Sequence, residues 1–166
     1  FLFACQSGDK PAVTGAVPDA AFAAQPTPVA EQPVKTLEIG AAAPDFKLPD
    51  VSGKFYTLSD FKNSKVLVVI FTCNHCPTAQ AYEDRVIALA NDYKDKGVTV
   101  VAISPNSPLG LLPEELGYSD LNDDYEAMQL RAAYKKYNFP YLYDGDTESA
   151  SLKYGPAATP HAFVLD

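Results

Sequence analysis

Two runs of β-branched and aliphatic residues flank a helical pattern near the middle of the chain. Lys65-Val66-Leu67-Val68-Val69-Ile70-Phe71 has no polar residue after its lysine, which predicts a strand buried on both faces. From Pro77 through Lys96, the residues Ala79, Tyr82, Val86, Leu89, Ala90 and Tyr93 recur at three- and four-residue steps. They predict a helix that Gly97 ends. Val98 to Ile103 repeats the buried-strand pattern. Strand, helix and strand in that order form a βαβ unit, which implies parallel pairing and a right-handed crossover.

The flanking pattern is less regular. Ile39 to Pro49 reads as an irregular lead-in that offers Phe46 and Leu48 for burial, and Lys54 to Leu58 alternates enough for a short strand. Ser104 to Ser119, with Pro105, Pro108, Gly110, Pro113 and Gly117, reads as a loop insertion. Asp123 to Tyr137 predicts a second helix, with Tyr125, Met128, Ala132 and Ala133 on its inner face. Asp120, Asn122 and Asp123 favour that helix's N-terminus. Tyr141 to Tyr143 predicts a short strand, Glu148 to Tyr154 a short helix closed by Gly155, and Ala162 to Leu165 a final strand. A last strand with no following partner leaves an open sheet edge, so the domain is expected to be incomplete at its C-terminus.

Upstream the pattern stops. Gln6 to Lys35 is dominated by Ala, Pro, Gln, Thr and Val, with Pro11, Pro18, Pro26, Pro28 and Pro33 favouring an extended spacer. Leu2-Phe3-Ala4-Cys5 resembles the lipobox at which a bacterial lipoprotein is cut and lipidated; a chance cysteine is the alternative. The expected organisation is a signal-peptide remnant at residues 1–5, a Pro/Ala-rich tether at residues 6–36 and one domain at residues 37–166. The net charge of −8, with no Lys/Arg cluster, argues against a nucleic-acid partner.

The chemistry centres on Cys73-Asn74-His75-Cys76. The pair lies in the predicted turn between a buried strand and a helix, where unsatisfied N–H groups and the helix dipole stabilise a thiolate. That placement predicts Cys73 as nucleophile, Cys76 as resolving thiol and His75 as the neighbour that tunes the thiolate. A structural zinc site would want two further Cys or His ligands, and the chain offers His75 and His161.

Several segments together resemble a known family. These are Ala43-Pro44-Asp45-Phe46-Lys47-Leu48 with Asp60-Phe61, Phe71-Thr72-Cys73-Asn74-His75-Cys76-Pro77, Tyr82-Glu83-Asp84-Arg85, Tyr141-Leu142-Tyr143-Asp144 and Ala158-Thr159-Pro160. From Ile39 to Asp166 the sequence resembles the redoxin branch of the thioredoxin superfamily, in particular a CxxC-bearing peroxiredoxin-like subgroup. The resemblance implies an α/β thioredoxin fold, with a central mixed sheet flanked by helices. It also implies a cis peptide bond at Thr159-Pro160, whose edge docks an extended substrate chain.

The sequence departs from that family at three places. A Pro-x-x-x-Thr-x-x-Cys peroxide site is missing in both registers, since the Pro and Thr slots hold Val66 and Ile70 counted from Cys73, or Val69 and Cys73 counted from Cys76. Ala158 stands where relatives carry a cysteine. Leu67 stands where thioredoxin carries a buried acid, so proton transfer needs another group; Glu83 is a candidate, although a surface carboxylate is the simpler reading.

The expected activity is thiol–disulfide exchange in the cell envelope, on protein or small-molecule disulfides and thiols, with no cofactor and with a membrane link only through Cys5. A thiol peroxidase is one alternative. A copper carrier using Cys73, Cys76 and His161 is the other.

Overall fold

The computed structural model describes residues 34–119 and 121–166, so Cys5 and nearly all of the expected tether lie outside the described residues. Strands β1 (Lys47–Pro49) and β2 (Phe55–Thr57) form an antiparallel hairpin. After a 3-10 turn at Leu58–Phe61 come β3 (Val66–Phe71), helix α1 (Pro77–Tyr93) and β4 (Val98–Ser104). The chain continues through α2 (Tyr125–Lys135), β5 (Tyr141–Tyr143), α3 (Ser151–Tyr154) and β6 (His161–Leu165).

The main sheet has the order β5-β4-β3-β6. β3 and β4 pair in parallel with Val66 opposite Val98, and β5 adds to β4 in parallel with Tyr141 opposite Ala102. β6 runs antiparallel to β3, with His161 opposite Phe71 and Leu165 opposite Leu67. The sheet is mixed, as expected. Among the described residues β6 has no strand on its outer edge.

Strand alternation explains why the apolar runs are unbroken. Leu67, Val69 and Phe71 of β3, with Val101 and Ile103 of β4, face a core shared with Phe46, Leu48, Phe61, Tyr154 and Phe163. Val68, Ile70 and Val100 face the opposite side, where Val86, Leu89 and Ala90 of α1 cover them. Ala102 and Tyr141 meet Met128 of α2. Both faces are covered, which keeps β3 wholly apolar and limits the polar positions of β4 to Thr99 and Ser104.

Caps define the helices. Cys76 is the N-cap of α1 with Pro77 in the first turn, and Gly97 ends the following 3-10 turn in the left-handed conformation. Asp124 caps α2 by accepting a hydrogen bond from Ala127 N at 2.7 Å. The buried Asp144 carboxylate gathers the N–H groups of Ala150 and Ser151 at the start of α3.

Four local expectations need correction. The lead-in is partly regular, because Asp50 accepts from Ser52 N and Lys54 N and so orders the β1–β2 turn. The domain begins before residue 37: Thr36 Oγ1 donates to Gly155 O at 2.7 Å, and a Cβ on Gly155 would run into the Lys35 carbonyl. Tyr82 and Tyr93 of α1 are exposed, while Glu83 is buried. On α2, Ala127 is buried and Ala133 exposed.

Candidate redox site

β3 and β6 are antiparallel, so the residues that follow Phe71 and those that precede His161 meet at one end of the sheet. That juxtaposition brings Cys73 and Cys76 to Thr159. Cys73 Sγ lies 3.1 Å from Thr159 Oγ1, and Cys76 Sγ donates to Thr159 O at 3.4 Å. The Thr159–Pro160 peptide bond is cis. Both thiols are free.

A third segment completes the site. Asp123, fully buried just before α2, reaches back to the CxxC loop. Its Oδ1 accepts from Asn74 N at 2.7 Å and His75 N at 3.1 Å. Its Oδ2 lies 2.6 Å from His75 Nδ1 and accepts from Asn106 Nδ2 at 2.6 Å. The Asn74 carbonyl accepts from Gln80 Nε2 and from the Arg131 guanidinium, and the Asn74 amide donates to Asn122 O at 2.8 Å. The loop is therefore held by hydrogen bonds to α1, to α2 and to the segment preceding α2.

The low-pKa thiolate expected at Cys73 is not met. Cys73 is 3% exposed, and burial together with the Asp123 carboxylate pushes its thiol up to about 12. The Thr159 hydroxyl and the Cys76 N–H pull the other way without winning. Cys76 is the more open of the two and is itself the N-cap of α1. The position at the helix start thus belongs to Cys76 more than to Cys73.

Two other candidates also move. Glu83 is neither a surface carboxylate nor a partner of Cys76. It is buried against Arg131 Nε (2.9 Å, an ion pair without hydrogen-bond alignment), Lys135 Nζ (3.4 Å) and Tyr137 Oη (3.0 Å). His161 Nδ1 accepts from Ala157 N, and its ring stacks on Phe163 at 4.6 Å. The donor atoms that do converge, among the described residues, are those of Cys73, His75 and Asp123, all within 4.8 Å of one another. Each Asp123 oxygen already accepts two N–H donors, so a metal there would have to displace them.

Asp123 and Asn106 are the site residues that sequence reasoning missed. Asp123 carried a signal, an Asn-Asp-Asp run before a helix, but capping α2 needs only Asp124. His75 and Thr159 line an open groove together with Asn106, Leu111, Leu152 and Ala157.

A mixed sheet with a CxxC pair at a strand–helix junction, faced by a cis-proline loop, defines a thioredoxin-fold thiol protein. Residues 39–166 match the AhpC/TSA family, and the chain belongs to it, within the redoxin branch of the thioredoxin superfamily. A Helicobacter pylori protein assigned by name as the peroxiredoxin bcp is 30% identical over 74 residues, which are 45% of this chain and 49% of that protein. The chain thus spans about half the length of the curated relatives it matches.

Among solved structures, a hypothetical protein of Sinorhizobium meliloti superposes with a TM-score of 0.69 at 35% identity, over 80% of this chain and 67% of that one. The thioredoxin domain of a Bacteroides vulgatus thiol-disulfide oxidoreductase shares the fold at 20% identity, with a TM-score of 0.62 over 79% of this chain and 83% of that one.

Proposed function

We propose that the chain catalyses thiol–disulfide exchange by cycling Cys73 and Cys76 between dithiol and disulfide. The observation that carries this reading is the placement of both thiols on one residue, Thr159, at the start of α1. Exchange needs nothing but an attacking sulfur, a second sulfur close enough to displace the product, and an edge for the substrate. No cofactor enters. The peroxidase alternative is disfavoured because neither cysteine has the Pro and Thr of a peroxide site in its sequence register.

The roles follow accessibility. Cys76, the less buried thiol and the N-cap of α1, attacks a substrate disulfide and forms a mixed disulfide. Cys73, buried behind it, resolves that bond, so the order is the reverse of the sequence-based expectation. The Thr159-Pro160 segment presents the docking edge, and the groove beside His75 receives the chain that carries the disulfide. Attachment to the cell envelope through a lipidated Cys5 is part of the same proposal. It rests on the lipobox-like Leu2-Phe3-Ala4-Cys5 and the proline-rich spacer after it.

Cysteine variants test the assignment, with Cys5→Ser in every protein, the wild-type reference included, so that no third thiol reacts. Mixed with the aromatic disulfide dithiobis(nitrobenzoate), the wild-type pair should release two equivalents of coloured thiolate. Cys73→Ser should release one and keep an adduct on Cys76. A stable adduct on the wild-type protein would refute exchange, and an adduct trapped only in Cys76→Ser would refute the order.

A further inference from the structure

A buried thiol cannot resolve a mixed disulfide until something takes its proton. Leu67 leaves the strand beneath the cysteines without an acid, and Glu83 is engaged with Arg131, Lys135 and Tyr137. We propose that His75, oriented by Asp123, is the base that removes the proton of Cys73 during resolution. This proposal rests on the exchange reading above and assigns the proton path within it.

The geometry supplies the parts. A ring nitrogen of His75, a carboxylate oxygen of Asp123 and Cys73 Sγ lie within 4.8 Å of one another. Two backbone N–H groups and the Asn106 amide hold the carboxylate, leaving it one further task, to accept from His75 Nδ1 at 2.6 Å. A carboxylate accepts, so in the neutral ring the proton sits on Nδ1 and the lone pair is on Nε2. Nucleophile, base and orienter within that reach are the parts that activate weak nucleophiles generally, and the exchange step needs the Nε2 edge of the ring turned to Cys73. Of His75 and Asp123, His75 is the one that reaches solvent, with its side chain 14% exposed and lining the groove, so it can return the proton to a departing substrate.

The step balances. The Cys73 proton passes to the imidazole, giving an imidazolium held against Asp123. The Cys73 thiolate attacks Cys76 Sγ, the Cys73–Cys76 bond forms, and the bond from Cys76 to the substrate sulfur breaks. The substrate leaves as a thiolate and takes the proton from the imidazolium. Two protein thiols have become one disulfide, and the substrate disulfide has become two thiols.

Other groups that bear on this pair are Cys76 at the N-cap of α1, Tyr141 on β5, the Arg131 guanidinium on the Asn74 carbonyl, and Glu115 and Glu148 in the lining of the groove. Tyr141 is fully buried and its phenol is held well above its ordinary range, so it does not compete as a base.

Two-phase release from dithiobis(nitrobenzoate) separates attack from resolution in the full chain, with Cys5→Ser as the wild-type reference and background so that no third thiol reacts. Asp123→Asn and His75→Ala should each lower the ratio of second-phase to first-phase rate by about tenfold or more near neutral pH. Their second phases should climb with pH more steeply than the wild type's. Free imidazole should restore part of the second phase in His75→Ala, which keeps the test decisive if Asp123→Asn does not fold. An unchanged ratio in His75→Ala, or equal slowing of both phases with no rescue, would overturn the base assignment. Failure of the wild-type protein to show a second phase would instead strike the exchange reading itself.

Discussion

The Nδ1 of His75 and the Oδ2 of Asp123 stand 2.6 Å apart, although 48 residues separate them in sequence. With two N–H groups of the CxxC loop on the other carboxylate oxygen, that contact lets a residue outside the βαβ unit set the conformation of the redox loop. Removing it leaves several donors with no acceptor, two of them backbone amides. A buried donor left unpaired costs about 1–3 kcal/mol. Asp123→Ala should therefore lower the unfolding free energy by about 3 kcal/mol or more in urea titration; a loss under about 1 kcal/mol would contradict this account.

The exposure of the two thiols sets their order of reaction. Cys73 is almost wholly covered, and Cys76 is not. Iodoacetamide at near-neutral pH should label Cys76 about tenfold faster or more than Cys73 in the folded, reduced chain, since the thiolate is the reacting species. Equal rates in a peptide map, or a faster Cys73, would remove the basis for the assigned roles.

The raised pKa of Cys73 makes stability depend on pH with a definite sign. The folded thiol is pushed up to about 12, whereas an unfolded cysteine titrates near about 8.5. Above that lower value the unfolded chain releases a proton that the folded chain retains, so alkali favours unfolding. The contribution is fully present below about pH 8.5 and falls by at most about 1.4 kcal/mol per pH unit above it, until the folded thiol also titrates. Subtracting the pH profile of Cys73→Ser, which has no thiol at this position, isolates the effect. A difference that stays flat between about pH 8 and about pH 10.5 would show that the thiol is not shielded as described.

Glu83 links α1 to α2 through Arg131, Lys135 and Tyr137, and Arg131 also donates to the Asn74 carbonyl of the redox loop. Deleting one member of a buried ion pair strands the other charge, at a cost of about 3–5 kcal/mol. Glu83→Ala should fall in or just below that range by denaturant unfolding, because Lys135 is partly solvated. If the variant unfolds within about 1 kcal/mol of wild type, the cluster is a surface feature.

The sequence made the sheet legible and half of the site. β3 and β4 were readable because they are buried on both faces, which forces an apolar run that no loop would carry. Cys73 and Cys76 were readable because their chemistry is local to four residues. Asp123 was not, since its partners in the redox loop lie about fifty positions upstream and its neighbour Asp124 already explains an acidic residue before α2. The sense of Cys73 burial was also hidden. A helix N-terminus implies a stabilised thiolate, and only the assembled fold shows that Cys76 occupies the cap while Cys73 sits beneath it. Glu83 misled for a similar reason: charge suggests surface until the partners on α2 are in place.

The central claim, that Cys73 and Cys76 act as one redox pair, is tested most directly by equilibrating the protein across graded ratios of reduced to oxidised glutathione. Acid quenching, alkylation and mass analysis of the peptide containing both residues then report their state. The account expects both thiols to become protected together, in one two-electron transition, with a direct Cys73–Cys76 disulfide as the oxidised product. Independent protection of the two cysteines, stable glutathione adducts on either, or two thiols that stay free at every ratio would contradict it.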